Sequence, residues 1–188
     1  MNQSNAKYTF EELTALSNKR LGELMRAGST PRIEEVVGYE FRGYNVPWAT
    51  KLMGTQKYKK GFYAQPGVSA YAWGYNVPVV QNRKTEPWLA VPNEENPRRY
   101  FFFKVFPAGT PGYDKKMAHA LIIDYSKWKY FFLNPIRYTL DYLVFPYPEN
   151  RNLMVGRSDF FAGRFYIPMG YLIIERHNKS NYEPLRKS

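Results

Sequence analysis

Few residues in this chain could carry out chemistry, and they are scattered. There are two histidines, His119 and His177, and no cysteine. Thiolate catalysis, cysteine-based zinc sites and disulfides are therefore excluded together. A metal site would need histidine combined with carboxylates, and no H-x-H or H-E-x-x-H spacing occurs, so no metal is expected. There is no P-loop, no dinucleotide-binding glycine run and no G-x-S-x-G elbow, so no cofactor is expected either. What remains is a set of ionisable side chains inside apolar, aromatic segments: Glu40, Arg42, Lys60, Lys104, His119, Asp124, Asp141 and Arg176. On a solvated face such groups need no explanation, and that is the ordinary outcome for most of them. Turned inward, each must be paired or must bind an opposite charge. Glu40 and His119 are the two that could do acid–base work if a pocket joined them, since burial raises a carboxylate pKa. No motif demands it. His119 reads as a core histidine within a strand, and His177 as a solvated one near the end.

The elements that must position these groups begin with a helix. Thr9 and Glu12 form a T-x-x-E capping box. Phe10, Leu13, Leu16, Leu21 and Leu24 then share one broad face, and Gly28 is a natural stop. One helix is expected over residues 8–28, capping one end of a sheet, with a short further turn after Pro31. The segment 36–45, V-V-G-Y-E-F-R-G-Y-N, reads as the first strand. Alternation places Tyr39 and Phe41 on one face and Glu40, Arg42 and Tyr44 on the other. Further strands are expected at 57–64, 69–80, 99–106, 116–125, 128–132, 138–145, 153–157, 164–167 and 170–177. The polar, proline-rich stretch 81–98 reads as a loop, and 178–188 as a loose tail. The pentapeptide G-Y-N-V-P occurs at 43–47 and again at 74–78, which reads as the same strand-exit chemistry used twice. Many short strands after one amphipathic helix predict a mainly β chain: a single antiparallel up-and-down barrel over 36–177, within one domain of 188 residues.

Composition limits the partners. Aromatic residues make up 18% of the chain and the formal charge is +11, a field that attracts nucleic acid, anionic membrane surfaces or anionic small molecules. No apolar run approaches the roughly 18 residues of a transmembrane span. The start lacks the apolar core of a signal peptide. With the absence of cysteine, this makes a cytoplasmic setting the expectation. Nothing in the sequence indicates an oligomeric state.

A helix followed by Gly38-Tyr39-Glu40-Phe41-Arg42-Gly43 resembles the opening of lipocalin-like (calycin) barrels, and more loosely the bacterial GXWXG family. Tyr stands where Trp is usual, and the glycines are one residue further apart. The segment 170–177, G-Y-L-I-I-E-R-H, resembles a closing barrel strand. The resemblance implies that Arg176 packs over Tyr39, and that the barrel holds a small hydrophobic or amphipathic ligand, a lipid for example, with no enzymatic activity. Tyr39, Phe41, Phe101, Phe103, Tyr142 and Tyr171 would then supply wall or core, and Arg42, Lys104 or Arg176 would hold an anionic head group. Glu40, Lys60 and His119 complete the candidate list. Two alternatives stay open. One is a single-stranded nucleic-acid surface built on R-R-Y-F-F-F-K-V-F at 98–106. The other is an enzyme acting on a barrel-bound ligand through Glu40 and His119.

Overall fold

The computed structural model describes residues 7–46, 55–68, 70–130 and 133–184. Residues 1–6, and 185–188 at the end of the expected tail, lie outside the described residues. Eight strands form a closed barrel: β1 Tyr39–Asn45, β2 Lys57–Tyr63, β3 Ala72–Pro78, β4 Tyr100–Phe106, β5 Leu121–Asp124, β6 Thr139–Val144, β7 Leu153–Ala162 and β8 Phe165–Lys179. Each runs antiparallel to the next, and β8 returns to pair with β1. Closure removes the open edges that so many aromatic strands would otherwise expose to self-association.

The period of two sorts side chains into an inner and an outer set. Phe41, Phe62, Phe103, Val105, Leu121, Ile123, Leu143, Met154 and Ile174 fill the interior. On the outer wall, Ile122, Leu140, Tyr142, Val144, Leu153, Val155 and Ile173 meet Phe10, Leu13, Leu21, Leu24 and Met25 of the N-terminal helices. A smaller outer cluster gathers Tyr63, Tyr75 and Val77 with Trp73, Phe102 and Tyr182.

The N-terminal segment departs from the expected single end-capping helix. It is two helices, α1 Phe10–Leu13 and α2 Asn18–Ala27. The capping box at Thr9 is present, but Ser17 caps α2 afresh by accepting from the Arg20 amide. Both helices lie along the outer wall of β7 and β8 rather than across an end. The end is closed instead by a third helix, α3 Ile33–Val36, whose Val36 is buried among the interior residues. Beside it the Arg176 guanidinium lies 4.1 Å from the Tyr39 ring centroid and donates to the Glu35 carbonyl at 2.6 Å.

Other elements differ for local reasons. The expected strand 116–125 begins only at Leu121, because Asp114 accepts from the Lys116 amide and starts a 3-10 turn at Lys115–Met117. His119 therefore sits in a connection, not mid-strand. At the other end of β5, Asp124 accepts from Ser126 and opens a second turn, so Trp128 to Tyr130 is not strand. Phe131 and Phe132, the rest of that expected strand, lie outside the described residues. β7 and β8 run longer than expected. β8 passes straight through Pro168, which sits at a bulge opposite Ser158 and Asp159, where a missing N–H is tolerated. The tail is packed through Tyr182, whose ring lies 4.8 Å from Tyr63 and 4.9 Å from Tyr75.

Three glycines let rings lie flat on neighbouring strands. Gly43 is registered opposite Tyr58, Gly61 opposite Tyr75 and Gly74 opposite Phe103. At each one, a Cβ would run into the opposing ring. Gly74→Ala is expected to cost about 1–3 kcal/mol in urea unfolding through overpacking. In a Phe103→Ala background the same change should cost much less, since the ring it meets is gone. Equal costs in both backgrounds would show that the ring is not the obstacle.

A polar-floored cavity at the open end of the barrel

Opposite the end closed by α3, the interior opens into a cavity of about 350 Å³. Its floor is Lys60 on β2, whose side chain points inward between Tyr58 and Phe62. Lys60 Nζ lies 3.0 Å from Asp141 Oδ2 of β6, and donates to the Tyr125 hydroxyl at 2.6 Å. Both charged side chains are buried, 2% and 4% exposed. The pair is held from several strands. Ser158 Oγ of β7 donates to Asp141 Oδ1. Asn76 Nδ2 of β3 donates to the Tyr125 hydroxyl and to the Phe101 carbonyl, each at 3.1 Å. Lys60 Nζ also stands 4.7 Å from the Phe103 ring centroid, which closes the floor from below.

The walls above this floor are mixed. Tyr58, Tyr100, Asn45 and Thr139 supply polar atoms, while Phe101, Ile136, Met169 and Leu172 supply apolar surface. Burial pushes the phenol pKa values of Tyr58, Tyr100 and Tyr125 upward, so all three stay neutral and able to donate at physiological pH. Phe101 reaches the cavity through an irregular backbone. The β3–β4 register slips between Gly74 and Asn76, and Phe101 has a left-handed φ of 44°. That conformation is costly for a residue with a side chain, on the order of 1–3 kcal/mol. It lets Tyr100 and Phe101 both border the cavity while Phe102 faces out.

The repeated G-Y-N does more here than end strands, although β1 does end at Asn45 and β3 at Pro78. Gly43 and Gly74 are the inward glycines under rings, and Asn45 and Asn76 line the cavity. Asn76 lies within β3, which continues to Pro78. Pro47 lies outside the described residues.

Of the candidates drawn from sequence, Lys60, Phe101 and Tyr171 border the cavity. The Tyr171 hydroxyl points outward to the spot a Gly22 Cβ would occupy. Phe41 and Phe103 are packed core, and Arg176 with Tyr39 belongs to the closed end. The others face away. Glu40 is on the outer wall, accepting from Tyr75 at 2.8 Å and Asn178 at 3.2 Å. His119 Nε2 lies 2.8 Å from the Met25 carbonyl at the end of α2. The two share no partner and neither reaches the cavity, so the proposed acid–base pair does not form. Arg42 is outside too, bonded to Glu175 at 2.7 Å and Glu11 at 3.1 Å and lying over Phe10, where it fastens α1 to the wall. Lys104 lies outside, 3.3 Å from the Tyr71 ring centroid. Tyr142 lies outside, where its hydroxyl accepts from the Asp114 amide. For the strand residues Glu40, Arg42, Lys104 and Tyr142 alternation is respected, and it is the choice of face that decides.

Asn76, Tyr58, Tyr100, Tyr125 and Ser158 were not singled out from sequence. Tyr58 shares the face of Lys60 by alternation and was findable. The others depend on which strands lie opposite. Among the described residues, no group of three or more histidine or acidic side chains could hold a metal. None of their helices is long and apolar enough to cross a membrane. No family model, curated protein or solved structure matches the chain.

Asp141→Asn leaves a buried ammonium without its carboxylate, and should cost about 3–5 kcal/mol in equilibrium unfolding. The double change Lys60→Met with Asp141→Leu should recover most of that loss. The raised tyrosine pKa values make stability complete below about pH 10. Above it the unfolded chain releases phenolic protons that the folded chain retains, so stability falls as pH rises. Absorbance titration at 295 nm should show buried tyrosines ionising only as ellipticity is lost. Normal titration of all 17 tyrosines in the folded chain would contradict this.

Proposed function

We propose that the barrel binds a small amphipathic molecule, with its apolar body against Phe101, Ile136, Met169 and Leu172 and a polar end at the floor. The observation that carries this reading is an open cavity of about 350 Å³ with a self-neutralised polar floor. Pockets of this size, mostly apolar with a few convergent polar groups, suit small ligands. The head group follows from the charge balance. Asp141 already neutralises Lys60, so a carboxylate would have to compete with it. A carbonyl, phenol or hydroxyl can take donors from Tyr58, Tyr100 and Lys60 with no such conflict. The closed barrel and the Arg176–Tyr39 stack support a lipocalin-like relationship as part of the same proposal.

Native mass spectrometry of the purified protein, followed by denaturation and organic extraction, tests the reading. A near-stoichiometric neutral amphiphile released on denaturation is the expected result. Thr139→Trp, which fills the cavity from its wall, should abolish uptake of a neutral fluorescent probe such as N-phenyl-1-naphthylamine while the far-ultraviolet spectrum is kept. Unchanged uptake in that variant would place the probe elsewhere.

A second reading rests on the outer face of β3 and β4. Trp128 is stacked on Phe102 at 4.6 Å, with Lys104 close by among Tyr71, Trp73 and Phe106. Such a strip could stack the bases of single-stranded nucleic acid. It requires oligonucleotide binding that weakens steeply with salt and is lost in Trp128→Ala.

A further inference from the structure

The rim of the open end carries several of the large apolar side chains that the protein shows to solvent. β8 pairs with β1 only from Leu172 onward, so the preceding part of the β7–β8 hairpin runs past the rim. Phe160 pairs with Ile167 and Ala162 with Phe165 across the hairpin, and alternation puts these side chains on the face that continues the inner wall. Phe165 is 57% exposed, Ile167 52% and Met169 47%. Beside the hairpin, the connection between β5 and β6 adds Leu133 at 68% and Tyr138 at 40%. Tyr138 joins the two segments, its ring 5.7 Å from Phe160. No described element covers this face.

The exposed charge around it is mostly positive, although Lys127 is paired with the buried Asp124 at 3.7 Å. Residues 126–138 and 159–169 contain Lys127, Lys129, Arg137 and Arg164 against a single acid, Asp159. Asp159 is fully buried and bonded to Arg157. Arg164 lies 4.9 Å over Phe165 and Arg137 5.5 Å over Tyr138. Each guanidinium therefore sits beside an exposed ring, the arrangement in which a long cationic side chain follows apolar surface and keeps its head in a polar layer.

We propose that this rim is a docking surface for an anionic phospholipid bilayer. Phe165, Ile167, Met169 and Leu133 would enter the headgroup and upper acyl region, and Arg137, Arg164 and Lys129 would meet lipid phosphates. A second copy of the chain fits the face less well, because apposed rims would bring like charges together with no exposed acid to answer them, on a chain whose net charge is +11. Docked this way, the cavity mouth opens onto lipid. The docking itself does not depend on the cavity being occupied.

Flotation of the full chain with phosphatidylcholine vesicles, with and without phosphatidylglycerol, tests the proposal. Binding is expected to the anionic vesicles only, and to weaken at high salt. Phe165→Ser with Ile167→Ser should reduce partitioning on the order of tenfold. Arg137→Glu with Arg164→Glu should reduce it at least as much, on the order of tenfold or more. Phe165, Ile167 and Arg164 are exposed and Arg137 is half-buried, so thermal melting of each variant serves as the folding control and should stay close to that of the parent. No binding by the parent chain, equal binding to neutral vesicles, or unaltered binding by the folded serine variant would each overturn the proposal. So would a dimer in light scattering that the serine pair dissociates while vesicle binding is absent. An empty cavity in a chain that still floats with anionic vesicles would overturn the ligand reading and leave this one standing.

Discussion

The Lys60–Asp141 pair is the constraint around which the barrel interior is organised. Two charges removed from water are stable only if they face each other and their remaining hydrogen-bonding capacity is met. Meeting it recruits Tyr125 from beyond β5, Ser158 from β7 and Asn76 from β3. The pair and its partners thus tie five segments of the wall together across the lumen. They also divide the interior. Towards α3 the space is filled by Phe41, Phe62, Phe103 and the aliphatic side chains around them. Above the pair, tyrosines and asparagines alternate with apolar groups and the barrel stays open.

The outer charges solve a different problem, which is attaching irregular chain to a regular wall. Lys57 is almost fully buried although it faces outward, because the loop between β3 and β4 folds over it. Its ammonium donates to the carbonyls of Arg83 and Glu86 at 3.0 Å, and lies 3.9 Å from the Trp88 ring centroid. Lys59 holds the same loop through Glu94 at 2.6 Å. Arg42 does the corresponding work for α1. In a chain this basic, a good share of the cations is therefore structural, and the net charge overstates what is available to a partner.

Part of what is available lies at the open end. There the hairpin of β7 and β8 outruns its neighbours, carrying the inner-wall pattern of alternation past the point where a barrel needs it. The bulge at Met169 changes the parity of β8, so Ile167 and Phe165 continue the face of Leu172 and Ile174 beyond the rim and meet solvent. The apolar, cationic rim above the polar-floored cavity is thus a consequence of one hairpin being longer than the barrel it closes.

The strand content was legible in the sequence because alternation and turn chemistry are local: Tyr39 and Phe41 opposite Glu40 and Arg42, the proline-rich loop at 81–98, and an antiparallel meander as the simplest way to connect them. The Arg176–Tyr39 stack was legible as well, through the resemblance of the two strands that carry it. The split of the first helix at Ser17 and the turns after Asp114 and Asp124 were missed, although each rests on a side chain that caps its own backbone. The site could not be read locally. Period two separates two faces without saying which is inside, so Arg42, Lys60 and Lys104 look alike until the sheet curls, and then only Lys60 lies within. Its partners Tyr125 and Asp141 lie 65 and 81 positions away along the chain. Such a meeting is set by inter-strand register and barrel closure, which depend on every strand at once, and only the tertiary structure decided it.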